Sequence, residues 1–169
     1  MSISTAMTVG GKIYQRLLDV VPDLMTLNAG AHGKSEVPGF MALNLDVLHR
    51  DGGLIEIALN HLYKHPSGEM IPDPDMQIAV FPEREYAEAL TYQDMFGFRD
   101  VGSEAGRANL RAQRELNAFL LGWLANLIEQ GHAVSMRADT DADIGQPGSA
   151  SNLQVVSCEA PPDVESWRV

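Results

Sequence analysis

Only one cysteine, Cys158, occurs in the 169 residues. A lone thiol closes no internal disulfide, and no neighbouring cysteine shares a zinc ion with it. Internal disulfides are therefore excluded, and the expected compartment is one that keeps thiols reduced, the cytoplasm. No separate Cys-His motif supports Cys158 as a nucleophile, so it reads as a structural thiol. Long hydrophobic runs are also missing. No stretch of 18 apolar residues spans a membrane. The opening MSISTAMTVGGK lacks the basic region and apolar core of a signal peptide. Basic residues are scarce, with 12 Lys and Arg against 23 Asp and Glu, a net charge of -11. Phosphate affinity needs a basic footprint, so direct nucleic-acid binding is disfavoured.

What is present suits one domain, since a chain of this length buries roughly 70% of its unfolded surface. The acidity is unevenly placed. Between Glu69 and Glu104 lie nine acids and two bases, Arg84 and Arg99, so this segment holds seven of the eleven excess negative charges. A generic reading is solubility; a sharper one is a surface complementary to a basic protein. The candidate binding residues are Asp73, Asp75, Glu83, Glu85, Glu88 and Asp94. Arg107, Arg111 and Arg114 follow at helical spacing, poorly placed at a positive helix end, and are expected to pair with those acids.

Residues 1–11 read as a flexible arm, 12–133 as the domain and 134–169 as a peripheral tail with an edge strand at Leu153 to Cys158. Lys12 to Val21 has a helical apolar period, and Pro22 stops it. Ala29 to Gly39, with three glycines and a proline, reads as a loop. Three strands follow. Met41, Leu43, Leu45 and Val47 face inward in the first, and Ile55, Ile57 and Leu59 in the second, with Glu56 and Asn60 outward. Asp51-Gly52 makes the hairpin between them. After a loop from Pro66 to Pro74, Met76, Ile78 and Val80 form the third inward row. Glu83 to Leu90 reads as a short helix and Tyr92 to Val101 as a connection. The main helix is predicted from Ala105 to Gln130, with Leu116, Phe119, Leu120, Trp123, Leu124 and Leu127 as its apolar stripe and Gly131 as its stop. The fold class is thus α+β: an antiparallel three- to four-stranded sheet, one face covered by an N-terminal helix and a long C-terminal helix.

Few motifs carry chemistry. Asp139, Asp141 and Asp143 resemble the start of a calcium loop, but the glycine comes one place late and Ala150 stands where a bidentate glutamate is needed. His61 and His65 lack further converging ligands, so no metal or cofactor is expected. Asp46 and Glu56 lie where an acid pair is conceivable across the hairpin. No glycine-rich phosphate loop or nucleophile elbow is present. A small enzyme or ligand-binding site between the sheet and the 66–74 loop would need Asp46, Glu56, His61 and Asp73 to converge.

The helix ending YQRLLDVVPDL, the block Ala87 to Gln93 and the run Leu116 to Leu124 resemble the YqiB-like bacterial family of unknown function, over about residues 12–133. This chain departs from that pattern after the third strand, where Phe81-Pro82-Glu83 replaces an expected Tyr-His-Asp. Asp73 to Met76 and Leu90 to Gln93 are more weakly similar to uncharacterised plasmid- and phage-borne domains. That second resemblance implies a mobile-element accessory role, such as an anti-CRISPR or antirestriction inhibitor that fills a nucleic-acid channel by charge mimicry. The expectation is a non-enzymatic, acidic, cytoplasmic interaction protein. Its partner is a basic protein surface, for instance in a nucleic-acid-binding complex, and a homodimer is the other association the composition allows.

Overall fold

Alternating apolar and polar residues dominate the middle of the chain, and they build a sheet larger than the sequence predicts. The computed structural model describes residues 7–102 and 109–136. These contain helix α1 (Val9–Val20), strands β1 (His32–Ser35), β2 (Leu43–Arg50), β3 (Ile55–Lys64), β4 (Met70–Phe81), β5 (Tyr86–Asp94) and β6 (Gly97–Asp100), helix α2 (Leu110–Gln130) and strand β7 (Ser135–Met136). The strands form one sheet in the order β6-β5-β4-β3-β2-β1-β7, antiparallel throughout. The chain meanders from β1 to β6, and after α2 it returns to add β7 at the opposite edge.

The α+β class and the two helices agree with the sequence reading, but the expected three or four strands become seven among the described residues. Three of the extra strands, β1, β5 and β6, were hidden for physical reasons. In β5 the inward positions are Ala87 and Ala89, and alanine favours helices, so the predicted short helix is a strand. Only Pro82–Arg84 is helical there, as a 3-10 turn ended by Glu85 at φ 46. In β1 the inward positions are Gly33 and Ser35, too small to give an apolar period. Gly33 is required by packing: a Cβ there would lie 2.7 Å from Cγ1 of Val134. Strand β6 is exposed at all four residues, so it has no buried period to read.

The predicted loop from Pro66 to Pro74 is also shorter. A turn closed by His65 N–H on the Glu69 carbonyl (2.8 Å) leads directly into β4, which contains Pro72 and Pro74. The Asp73–Pro74 peptide is cis, beside a shift of register opposite His61. Met41, predicted inward, is exposed and lies before β2.

The core forms where both helices cover one sheet face. Ile13, Leu17 and Val20 of α1 and Leu116, Leu120, Trp123, Leu124 and Leu127 of α2 pack over the inward rows of β2 to β5. Phe119, predicted in that stripe, is 41% exposed and meets the Tyr92 ring edge-on at 5.0 Å. Helix α1 begins before its predicted start, with Thr8 Oγ1 accepting the Gly11 N–H (3.1 Å) as its N-cap. Gly10 permits close approach, since a Cβ there would strike the Tyr86 ring. Arg16 ties the helices together by donating to the Leu121 carbonyl (2.6 Å). Gly131, at φ 84, ends α2 as expected, its N–H reaching the Ile128 and Leu127 carbonyls. The described helices include none long and apolar enough to cross a membrane. The predicted strand Leu153 to Cys158, Cys158 itself and the Asp139 to Asp143 run lie outside the described residues.

Candidate functional site

The second face of the sheet carries no helix among the described residues, and charge collects on it. Strand alternation with the observed register places Asp46, Glu56, Asp75, Glu88 and Asp100 on this face, one from each of β2 to β6. Glu56 and Glu88 flank Ala79 in one cross-strand row. Asp46 pairs with Ala58 and Asp75 with Asn60, so the two aspartates lie diagonally across β3. Burial pushes the Asp75 carboxyl above the ordinary aspartate range, and the Asp46 charge pushes it further. Asn60, predicted to face solvent, is buried, and its Oδ1 accepts from Asn44 Nδ2 at 3.2 Å.

A cleft of about 240 Å3 opens beside these groups, lined by His32, Lys34, Asn44, Asp46, Asn60 and Leu62. Lys34 brings positive charge to its margin and pairs with Glu36 at 2.5 Å. The arrangement presents acceptors and fixed negative charge. It supplies no nucleophile activated by a base.

The six residues singled out from the sequence divide into three places. Asp75 and Glu88 lie on the uncovered face, where Glu88 accepts a hydrogen bond from the Tyr86 hydroxyl (3.1 Å). Glu83 and Glu85 lie on the exposed turn between β4 and β5. Asp73 and Asp94 both raise the Tyr92 hydroxyl's pKa by their charge, behind its burial as the main cause. Asp94 accepts from Phe96 N–H (2.8 Å), Gly97 N–H (3.0 Å) and Tyr92 Oη (2.9 Å), so it closes a turn. Those bonds, led by that from Phe96, hold its carboxyl below the usual range. Asp100 belonged to the acidic segment but not to the six, and Asp46 and Glu56 were read only as a candidate acid pair. Their shared face depends on register across five strands, which local sequence does not display.

The four residues required for an enzyme site do not converge. Asp46 and Glu56 share the uncovered face, whereas His61 points to the helix side, with ring centres 5.6 Å from Trp123 and 5.8 Å from His132. His61 Nδ1 lies 2.9 Å from the Ala42 carbonyl, so that nitrogen carries the proton. His65 is exposed in its turn beside Ser67. No group of three or more His, Cys, Asp or Glu among the described residues is placed to hold a metal. Of the arginines predicted to neutralise the acidic segment, Arg111 instead pairs with Glu115 on its own helix (2.9 Å), and Arg107 lies outside the described residues.

A buried polar group near the end of α2 escaped the sequence reading. His132 Nδ1 lies 3.1 Å from Ser35 Oγ, which also accepts the Ala133 N–H (3.1 Å). Its Nε2 is buried without a partner among the described residues. This site joins β1 to the segment after α2 and is walled by His61, so it reads as a structural latch.

Residues 12–133, well over half the chain, match the model of a domain of unknown function, DUF6908. The chain belongs to this family. The match has the same bounds as the resemblance read from the sequence, and it contains every carboxylate on the uncovered face. No curated protein and no solved structure matches the chain.

Proposed function

We propose that this DUF6908 member is a non-enzymatic, cytoplasmic interaction protein that binds a basic protein surface through its uncovered sheet face. The observation that carries this reading is the set of five carboxylates, one per strand from β2 to β6, with Asp75 forced towards its protonated form beside Asp46. Like charges held together on a rigid sheet repel, and a lysine or arginine placed over them relieves that repulsion. The net charge of -11 adds long-range attraction for a basic partner and speeds encounter. The sharper form is an anti-defence inhibitor of mobile-element origin that fills a nucleic-acid channel by charge mimicry. The weaker likeness to plasmid- and phage-borne domains supports that form, and a basic channel would accept such a face.

Small-ligand binding is the second reading, favoured by the cleft of about 240 Å3 beside Asn60. Lys34 and Asp46 on its lining suit a ligand bearing both charges.

A pull-down from host lysate, with and without nuclease, separates these readings. The protein-interaction reading expects a basic protein retained after nuclease and lost with the variant Asp46→Asn/Glu56→Gln/Asp75→Asn/Glu88→Gln. Capture unaffected by the variant, or abolished by nuclease, overturns it.

A further inference from the structure

We propose that the edge strand β6 receives an extended segment of the partner as an additional strand, one that alternates apolar and basic residues. The proposal rests on the basic-partner reading above and specifies how that partner engages. Among the described residues Gly97–Asp100 ends the sheet, and all four are exposed. The Val101 N–H donates to the Leu90 carbonyl (3.0 Å). Antiparallel alternation therefore turns the backbone of residues 97, 99 and 101 towards β5 and leaves the N–H and C=O groups of Phe98 and Asp100 pointing outward. Sheet edges of this kind are templates for strand addition.

The side chains define what such a strand would carry. Phe98 pairs with Gln93 and Asp100 with Thr91, so both stand on the acidic face, and Phe98 is 61% exposed. An added strand continues that face beside them. Residues two places apart on that strand share this face, and in an alternating strand both are basic: one cation would lie over the Phe98 ring and the next would meet the Asp100 carboxylate. Asp100 is held in position by the Gly102 N–H at 2.7 Å. At the hairpin tip Met95 and Phe96 are 62% and 87% exposed, which extends the apolar part of the surface. Arg99 lies on the opposite side of the strand, where its charge helps to hold Asp94 ionised. The positive charge of the hairpin thus faces away from Asp100.

Charge selects the occupant. Asp100 favours a cationic strand, and residues 139–169, with six acids and one arginine, supply none.

The test uses the full chain and three labelled octapeptides: alternating lysine and valine, the same sequence N-methylated along one edge, and alternating glutamate and valine. Binding is followed by fluorescence anisotropy, and amide exchange at β6 by NMR. The lysine-valine peptide should bind and slow exchange of the Phe98 and Asp100 amides by at least about tenfold. The other two peptides should not. Phe98→Ser and Asp100→Asn, both at exposed positions, should each weaken binding by about tenfold. Equal, salt-sensitive binding of the N-methylated peptide without protection at β6 would overturn strand addition and leave the basic-partner reading standing. Failure of every cationic peptide to bind would remove both. A dimer of this chain that the peptide does not displace would identify a second copy as the occupant and overturn the proposal.

Discussion

The carboxamide of Asn117 accepts the backbone N–H of Ala89 at 2.8 Å, a helix side chain substituting for a sheet partner. The β4–β5 register shifts between Gln77 and Ile78, with Ala89 and Thr91 on either side of the extra residue Leu90. Gln113, one helical turn earlier, donates to the Ala89 carbonyl at 2.7 Å. The N–H and C=O of Ala89, beside the bulge, are therefore both satisfied by α2, which fixes the helix against β5.

Asn117→Leu should consequently destabilise the domain by about 1–3 kcal/mol, because the Ala89 N–H stays buried without an acceptor. Urea unfolding followed by circular dichroism measures this. A variant as stable as the wild type would show that the bond contributes nothing net.

Trp123 is 9% exposed and packs against the His61 ring. Trp123→Ala should cost about 3–5 kcal/mol through lost burial and a residual cavity. A neutral melting temperature with impaired partner binding would instead assign Trp123 to an interface.

His132 gives the fold a pH dependence with a definite sign. Burial lowers its pKa from the usual 6.5, and the charge of His61 lowers it further. The unfolded chain therefore takes up a proton before the folded one, so stability is full above about pH 6.5 and falls as pH drops through the lower folded value. The wild type should melt at a lower temperature near pH 5 than near pH 7.5. His132→Gln should shrink that difference. An equal pH response in the variant would place the dependence elsewhere.

Asp75 has the opposite sign, since burial and Asp46 raise its carboxyl. Its favourable contribution exists at acid pH and is lost as pH rises through the folded value. Asp75→Asn should therefore leave the neutral-pH melting temperature unchanged or raised, while partner binding weakens. A clear loss of stability would make Asp75 a structural group.

The inward rows of β2, β3 and β4 and the stripe of α2 were legible because large apolar residues mark them at a fixed period. Strands β1 and β5 were not, since Gly33, Ser35, Ala87 and Ala89 turn small side chains inward where the helices and β7 pack closely. The candidate site was legible only as composition. Local sequence shows that Asp75 and Glu88 are acidic; only pairing through Asn60 and Ala79 shows which carboxylates share their face. Asp94 illustrates the converse, an acid whose lone pairs are engaged by its own turn.

The most direct test of the acidic-face account compares two variants of identical net charge. One is Asp46→Asn/Glu56→Gln/Asp75→Asn/Glu88→Gln; the other is Asp19→Asn/Asp23→Asn/Glu69→Gln/Glu129→Gln, whose four positions lie off the strand rows that form the acidic face. Each removes four formal negative charges, so the two variants share one formal net charge. The measurement is the association rate and affinity for the captured basic partner as a function of salt. The account predicts that the face variant loses at least about tenfold in affinity and most of its salt response, while the other variant stays within about threefold of wild type. Equal losses in both variants would show that only total charge matters and would contradict a binding face on this sheet.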